Sequence, residues 1–276
     1  MARPNDGLAM APVGAGANMI QEWDLAQTNL KLTRDRRYEV AVLPVGAVEP
    51  HNLHMPYGTD YMTAAMVAGR ACEHAWKKCP SVLCLPALPY GVDCNMMGFP
   101  VTASVTQATL DAMIRELMAS MRHHGIRKFV LVNGHGGNCF VPLVRQAQAD
   151  LGIHVFLTDW WKIGWDHYNE IFTCRDDHSG QMETSCAMAA FGELVNLAQA
   201  GDTTPKPFQF EALQKGWVTT SRDFAKMTAH CATSDPTGST AQRGQQYMDL
   251  AVGRLGDFLA ELAAAPIDES FPFKGK

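Results

Sequence analysis

Lys128-Phe129-Val130-Leu131-Val132, followed at once by Asn133-Gly134-His135-Gly136-Gly137-Asn138, is the stretch on which the reading of the fold turns. After its first residue the run is continuously apolar, so it reads as a strand buried on both faces. Glycine then breaks it, Phe140 to Ala149 resumes as a helix, and His154-Val155-Phe156-Leu157-Thr158 gives the next strand. The same order appears upstream. Tyr38 to Val45 is a strand candidate leading into a helix over Thr59 to Lys77, and Ser81 to Leu85 supplies another strand. Leu110, Met113, Ile114, Leu117, Met118 and Met121 recur at helical spacing as a core-packing stripe. Helices are expected again over Thr184 to Leu197 and within Ser239 to Glu261. The interval 200–235, richer in Thr, Pro and Lys, reads as loops and irregular strands, a candidate lid or subunit contact. Strands without polar alternation, separated by helical lengths, predict an α/β fold: three layers, α/β/α, with a mostly parallel central sheet. In such sheets function gathers beyond the carboxyl ends of the strands.

With 276 residues, 47% of them hydrophobic, the chain can bury one sizeable core. The expected organisation is a loose Gly-, Ala- and Pro-rich arm over 1–20 and one domain over 21–276. A net charge of -5, with no local Lys/Arg cluster, removes the electrostatic motive for a nucleic-acid partner. Eight cysteines form no C-x-x-C pair and read as free thiols in a reducing compartment, so a cytoplasmic location is expected. No apolar stretch is long and uninterrupted enough for a bilayer span, so no membrane partner is expected.

Three clusters could carry chemistry. Glu49, His51, His54 and Asp60 fall within twelve residues just after a buried strand, where a loop can curl its side chains together. Imidazole nitrogen and carboxylate oxygen suit a borderline divalent ion, and Asp60 suits a bridge between two such ions. The ordinary alternative is a polar surface loop with Pro50, Pro56 and Gly58 marking turns. His54 could equally bond a ligand or hold the loop. His135, in its glycine-rich turn, can point into a cleft, and the Gly136 and Gly137 amides could donate to an oxyanion. The alternative there is a structural turn with a capping Asn. Asp176, Asp177 and His178 precede Ser179-Gly180-Gln181-Met182-Glu183-Thr184-Ser185, where Glu183 would open a helix within reach of a central metal. His178 could shuttle a proton. An acidic helix-capping loop would explain the same residues. Trp160, Trp161 and Trp165 could wall a pocket for a planar substrate, or pack in the core.

The run Pro44 to Asp60, which contains Val48-Glu49-Pro50-His51-Asn52-Leu53-His54, resembles the signature of the creatininase (creatinine amidohydrolase) family. Asn133 to Asn138 is similar to that family's second motif and His178-Ser179-Gly180 through Ser185 to its third. Asp235 to Ala241, followed by Arg243-Gly244, is similar to its late element. The resemblance implies a hydrolase with two divalent ions, Zn or Mn, assembled as a homohexamer. One ion would take Glu49, Asp60 and His135, and the other His51, Asp60 and Glu183. His178 would shuttle the proton, which makes His178 and Glu183 the catalytic candidates. The implied reaction is cleavage of a C–N bond of a small cyclic amide or formamide by a metal-activated water. This chain departs from creatininases proper at Gly137, where they place a ligating Glu, at Asn52, usually Gly, and at Gln181, commonly Glu. Relatives with the glycine form include formamide deformylases, a mycofactocin-precursor peptidase and an enzyme that opens a keto-inositol ring at a C–C bond. A C–C hydrolase and a non-catalytic metal or small-ligand binding protein are therefore the alternative readings.

Overall fold

The computed structural model describes residues 20–275, so the arm expected over 1–20 lies outside the described residues except for Ile20. Four strands are present among the described residues: β1 (Val40–Val45), β2 (Val82–Cys84), β3 (Lys128–Asn133) and β4 (His154–Asp159). The helices are α1 (Leu30–Thr33), α2 (Thr59–Trp76), α3 (Gln107–His123), α4 (Val141–Leu151), α5 (Tyr168–Ile171), α6 (Gln181–Phe191), α7 (Glu211–Gln214), α8 (Phe224–Met227) and α9 (Ala241–Ala264). The sheet runs in the order β2-β1-β3-β4, and every pairing is parallel. Parallel neighbours need long crossovers, which α2, α3 and α4 supply in turn.

All six residues of β1 and all six of β3 are buried, which is why neither strand shows polar alternation. Their side chains divide the core by parity. Val40, Val42, Val130 and Val132 pack on the α2, α6 and α9 side, whereas Ala41, Leu43, Phe129 and Leu131 pack on the α3 and α4 side. The three-layer α/β/α arrangement follows. β4, at the sheet edge, is only half-buried.

Lys128 opens β3 from inside this core. Its Nζ donates to the Leu262 carbonyl at 2.8 Å and to the Ala265 carbonyl, closing the carboxyl end of α9.

Two expected boundaries differ. α6 starts at Gln181 rather than Thr184 and stops at Phe191 rather than Leu197, where Gly192 caps it and the chain passes into a 3-10 turn over Gly192–Leu194. The interval 200–235 holds no named strand among the described residues; it contains α7 and α8, and extended loops. No helix among the described residues is long and apolar enough to cross a membrane.

Candidate metal centre

β1 and β3 pair in register from Val40 opposite Lys128 to Val45 opposite Asn133, so both strands end at one level. The loops leaving them carry Glu49 and His51 on one side and His135 on the other. Asp60 sits in the first turn of α2, which crosses these strand ends at close range. A Cβ at Gly134 would stand 2.6 Å from the Asp60 carbonyl oxygen and 2.9 Å from the Ala64 Cβ, so a side chain there would push α2 off the strand. Glu183 enters from the first turn of α6.

These five side chains meet. Asp60 occupies the middle, with Oδ1 3.0 Å from His51 Nε2 and Oδ2 3.0 Å from His135 Nδ1. Glu49 Oε1 lies 3.1 Å from His135 Nδ1, and Glu183 Oε1 lies 3.4 Å from His51 Nε2. Glu183 is the most accessible of them, its side chain 21% exposed, while the other four are buried. His178 flanks the cluster, with Nδ1 3.7 Å from Glu49 Oε1 and its ring centroid 4.6 Å from that of His51.

Backbone carbonyls fix two of the rings. His51 Nδ1–H donates to the Glu49 carbonyl at 3.1 Å, which leaves Nε2 facing Asp60 and Glu183. His178 Nε2–H donates to the Pro50 carbonyl at 3.0 Å, which leaves Nδ1 facing Glu49. His54 is not part of the cluster; its Nε2 shares a 2.9 Å hydrogen bond with Thr184 Oγ1 and ties the loop to α6. The two asparagines of the glycine-rich turn act as braces. Asn133 Oδ1 accepts from the His135 amide, and Asn138 Nδ2 donates to Asn133 Oδ1 at 3.1 Å and to the Gly46 carbonyl at 3.3 Å.

Burial pushes the Glu49 carboxyl up to about 8, against the pull of the His135 ring. Burial also works to raise Asp60, but His51 and His135 beside it hold that carboxyl below the usual range. Both rings respond in kind. Burial opposes their protonation, yet Glu183 and Asp60 raise His51, and Glu49, Asp60 and Asp93 raise His135. His178 behaves differently: burial, with the neighbouring His51, lowers it to about 4. The cluster favours positive charge, and His178 stays neutral next to it.

The donor set fits a pair of divalent ions. Glu49 Oε2, His51 Nε2 and Asp60 Oδ2 are buried without a hydrogen-bond partner among the described residues, a costly state that a cation relieves. The trios His51–Asp60–Glu183, Glu49–His51–His178 and Glu49–Asp93–His135 can each present three ligand atoms within 4.8 Å of one another. Carboxylate oxygen and imidazole nitrogen are the ligands that zinc and manganese accept.

Asp93 was not singled out in the sequence, because its neighbours in the site are distant in the chain. Asp176 also has a defined task. No side chain at the residue preceding α6 caps it, and the Asp176 carboxylate instead accepts the Gly180 and Glu183 amides at 2.9 and 3.0 Å. Burial, with Glu183 close by, pushes Asp176 up to about 7.

The centre opens into a cavity of about 600 Å³ whose walls include Trp161, Trp165, Tyr168, Arg222 and Thr233. Trp160 also reaches the wall, although its ring is buried and packs against Tyr247. The 200–235 interval therefore contributes to the cavity through Arg222 and Thr233, and Arg222 pairs with Asp177 at 2.5 Å.

The departures from the creatininase motifs have local reasons. A Cβ at Gly137 would come within 2.2 Å of His135 Nε2 and 2.5 Å of the Val92 carbonyl, so the orientation of His135 leaves no room for the Glu of creatininases proper. Asn52 stands at φ 57°, in the left-handed region that asparagine tolerates best after glycine, and its Oδ1 accepts from the Leu53 and Gly201 amides. Gln181 uses both ends of its amide: Nε2 donates to the Thr237 carbonyl at 2.8 Å while Oε1 accepts from the Thr173 amide at 2.7 Å. An ionised Glu could not make the first of these bonds.

Comparison with known proteins agrees with this construction. The creatininase (creatinine amidohydrolase) family model matches residues 24–259. A creatinine amidohydrolase of Pseudomonas putida is 27% identical over 242 residues, covering 80% of this chain and 89% of its own. A mycofactocin precursor peptide peptidase of Mycolicibacterium smegmatis is 28% identical over 227 residues, covering 79% and 83%. The crystal structure of a Bacteroides fragilis protein provisionally named a creatinine amidohydrolase superposes with a TM-score of 0.82 at 31% identity, over 90% of this chain and 99% of that one. With its sheet, its gathered carboxylates and imidazoles, and a family match spanning nearly the whole described region, the chain belongs to the creatininase family and is a metal-dependent hydrolase of that kind.

Proposed function

We propose that this protein is a two-metal amidohydrolase that cleaves a C–N bond of a small cyclic amide or a formamide. Glu49, Asp60 and His135 hold one ion and His51, Asp60 and Glu183 the other, with Zn or Mn as the metal. The observation that carries this reading is the position of Asp60, whose two oxygens each lie 3.0 Å from the imidazole nitrogen of a different half-site. Ions bound there supply a water of lowered pKa and polarise the substrate carbonyl.

The remaining work falls to the chain's own residues. His178 is neutral, with Nε2–H committed to the Pro50 carbonyl and the Nδ1 lone pair turned to the centre, so Nδ1 accepts the proton released by the attacking water. The Pro50 carbonyl then steadies the imidazolium, which returns its proton to the departing nitrogen. Trp161 and Trp165 flank a planar amide in the cavity. The Gly136 and Gly137 amides are the candidate donors to the developing oxyanion. The names of the Pseudomonas and Mycolicibacterium relatives both denote hydrolysis of a C–N bond, which supports this bond type.

A screen of metal-reconstituted protein against creatinine, formamides, small lactams and cyclic polyol ketones, with products identified by mass spectrometry, tests the proposal. Hydrolysis of an amide is expected. Turnover of a polyol ketone alone would replace it with C–C hydrolysis, and ion uptake without any turnover would leave a binding protein.

A further inference from the structure

Asp93 is fully buried in the loop between β2 and α3, and neither carboxylate oxygen has a hydrogen-bond partner among the described residues. It faces the far side of His135: Oδ1 lies 3.0 Å from Nε2, while the opposite ring nitrogen, Nδ1, is the one that meets Glu49 and Asp60. The Val92 carbonyl stands 3.2 Å from the same Nε2 and satisfies the directional requirement of a hydrogen bond, which Asp93 Oδ1 does not. Nε2 thus sits between two acceptors and no donor, so it must carry a proton. The lone pair of a neutral ring is then at Nδ1, on the metal side.

The Val92 carbonyl takes the directed hydrogen bond, and the Asp93 carboxylate, in contact at 3.0 Å, attracts the same proton. Asp93 adds a charge. No lysine or arginine pairs with it among the described residues, and its close basic neighbour is His135. Two divalent cations would bring four positive charges to Glu49, Asp60, Glu183 and Asp93. With Asp93 included, the carboxylates alone match that charge.

We infer that Asp93 is a positioning residue of the metal centre, a carboxylate behind His135 that holds the ring's Nδ1 toward the ion and strengthens ion binding with its charge. This inference rests on the two-metal reading. It makes a prediction that a residue which merely packs does not, because the shape-preserving Asp93→Asn should lose ion affinity.

The test compares wild type, Asp93→Asn and Asp93→Ser by Zn²⁺ competition with a chromophoric chelator, and by thermal unfolding of the ion-stripped proteins. Asp93→Asn keeps the shape and removes the charge. It is expected to weaken Zn²⁺ binding about tenfold; Asp93→Ser, whose shorter hydroxyl also withdraws the acceptor from Nε2, is expected to weaken binding toward a hundredfold. Unchanged affinity in Asp93→Asn would overturn the inference, a cooperative melt of each stripped variant showing that the fold is intact. If wild type itself takes up no Zn²⁺, the two-metal reading fails and the inference falls with it; if wild type takes up two ions and the variants do so equally well, the inference alone fails.

Discussion

His178 is the residue whose chemistry can be separated most cleanly from ion binding, because it is fixed by the Pro50 carbonyl and stands 3.7 Å from Glu49. His178→Gln is expected to lower turnover by about two to four orders of magnitude while both ions are retained, measured by steady-state rates and metal analysis of one preparation. Its burial has a second consequence. The folded-state pKa of about 4 lies below the ordinary value of 6.5, so the unfolded chain takes up the proton first as pH falls. The stability due to neutral His178 is therefore complete above pH 6.5 and is lost as pH falls through 4. In the ion-stripped protein, the melting temperature of His178→Gln should decline less steeply than that of wild type over this window. An equal decline would place the acid sensitivity elsewhere. At this scale the sequence was partly legible. Glu49, His51 and Asp60 could be singled out because an unusual density of ligand types follows one strand, whereas Asp93 could not, since only the fold carries its loop behind His135. His54 left two roles open, and its bond to Thr184 shows it holding the loop.

Elements position these residues through a few close crossings. α6, which carries Glu183, packs against α9 at Gly244, where a Cβ would come within 1.9 Å of the Ser185 carbonyl oxygen. Gly244→Ala must separate the two helices, with an expected loss of about 1–3 kcal/mol in chemical denaturation. The displaced Glu183 should weaken ion binding in the same variant. Lys128→Met tests the other end of α9: the Leu262 and Ala265 carbonyls lose their donor, and a loss of about 1–3 kcal/mol is expected in the same assay. Wild-type stability in either variant would remove the corresponding contact from the account. The strands and the long helices were legible from apolar runs and helical spacing, since β1 and β3 are buried on both faces and α3 turns Leu110, Ile114 and Met118 inward. The start of α6 was not. Its cap is Asp176, which accepts the Gly180 and Glu183 amides from beyond the position where a capping residue is normally sought.

The whole molecule brings together chain segments more than a hundred residues apart, because a parallel sheet delivers successive loops to one edge. That logic made the location of the site legible from the order of strands and helices, whereas the cavity walls depend on 200–235, where no period marks a regular element. The half-buried edge strand β4 and the exposed Trp165 offer contact surface at the same scale. We propose a homohexamer, and light scattering should return six times the 30.2 kDa chain mass; a monomer would contradict it. The central claim concerns the pair of cations, and anomalous diffraction from crystals grown with Zn²⁺ or Mn²⁺ at neutral pH tests it most directly. Two peaks about 3.5–4 Å apart are expected, one on each side of Asp60, with Glu49 and His135 at the first and His51 and Glu183 at the second. Metal-replete crystals in which no ion touches Asp60, with His51, His135 and Glu183 turned away from one another, would contradict the account.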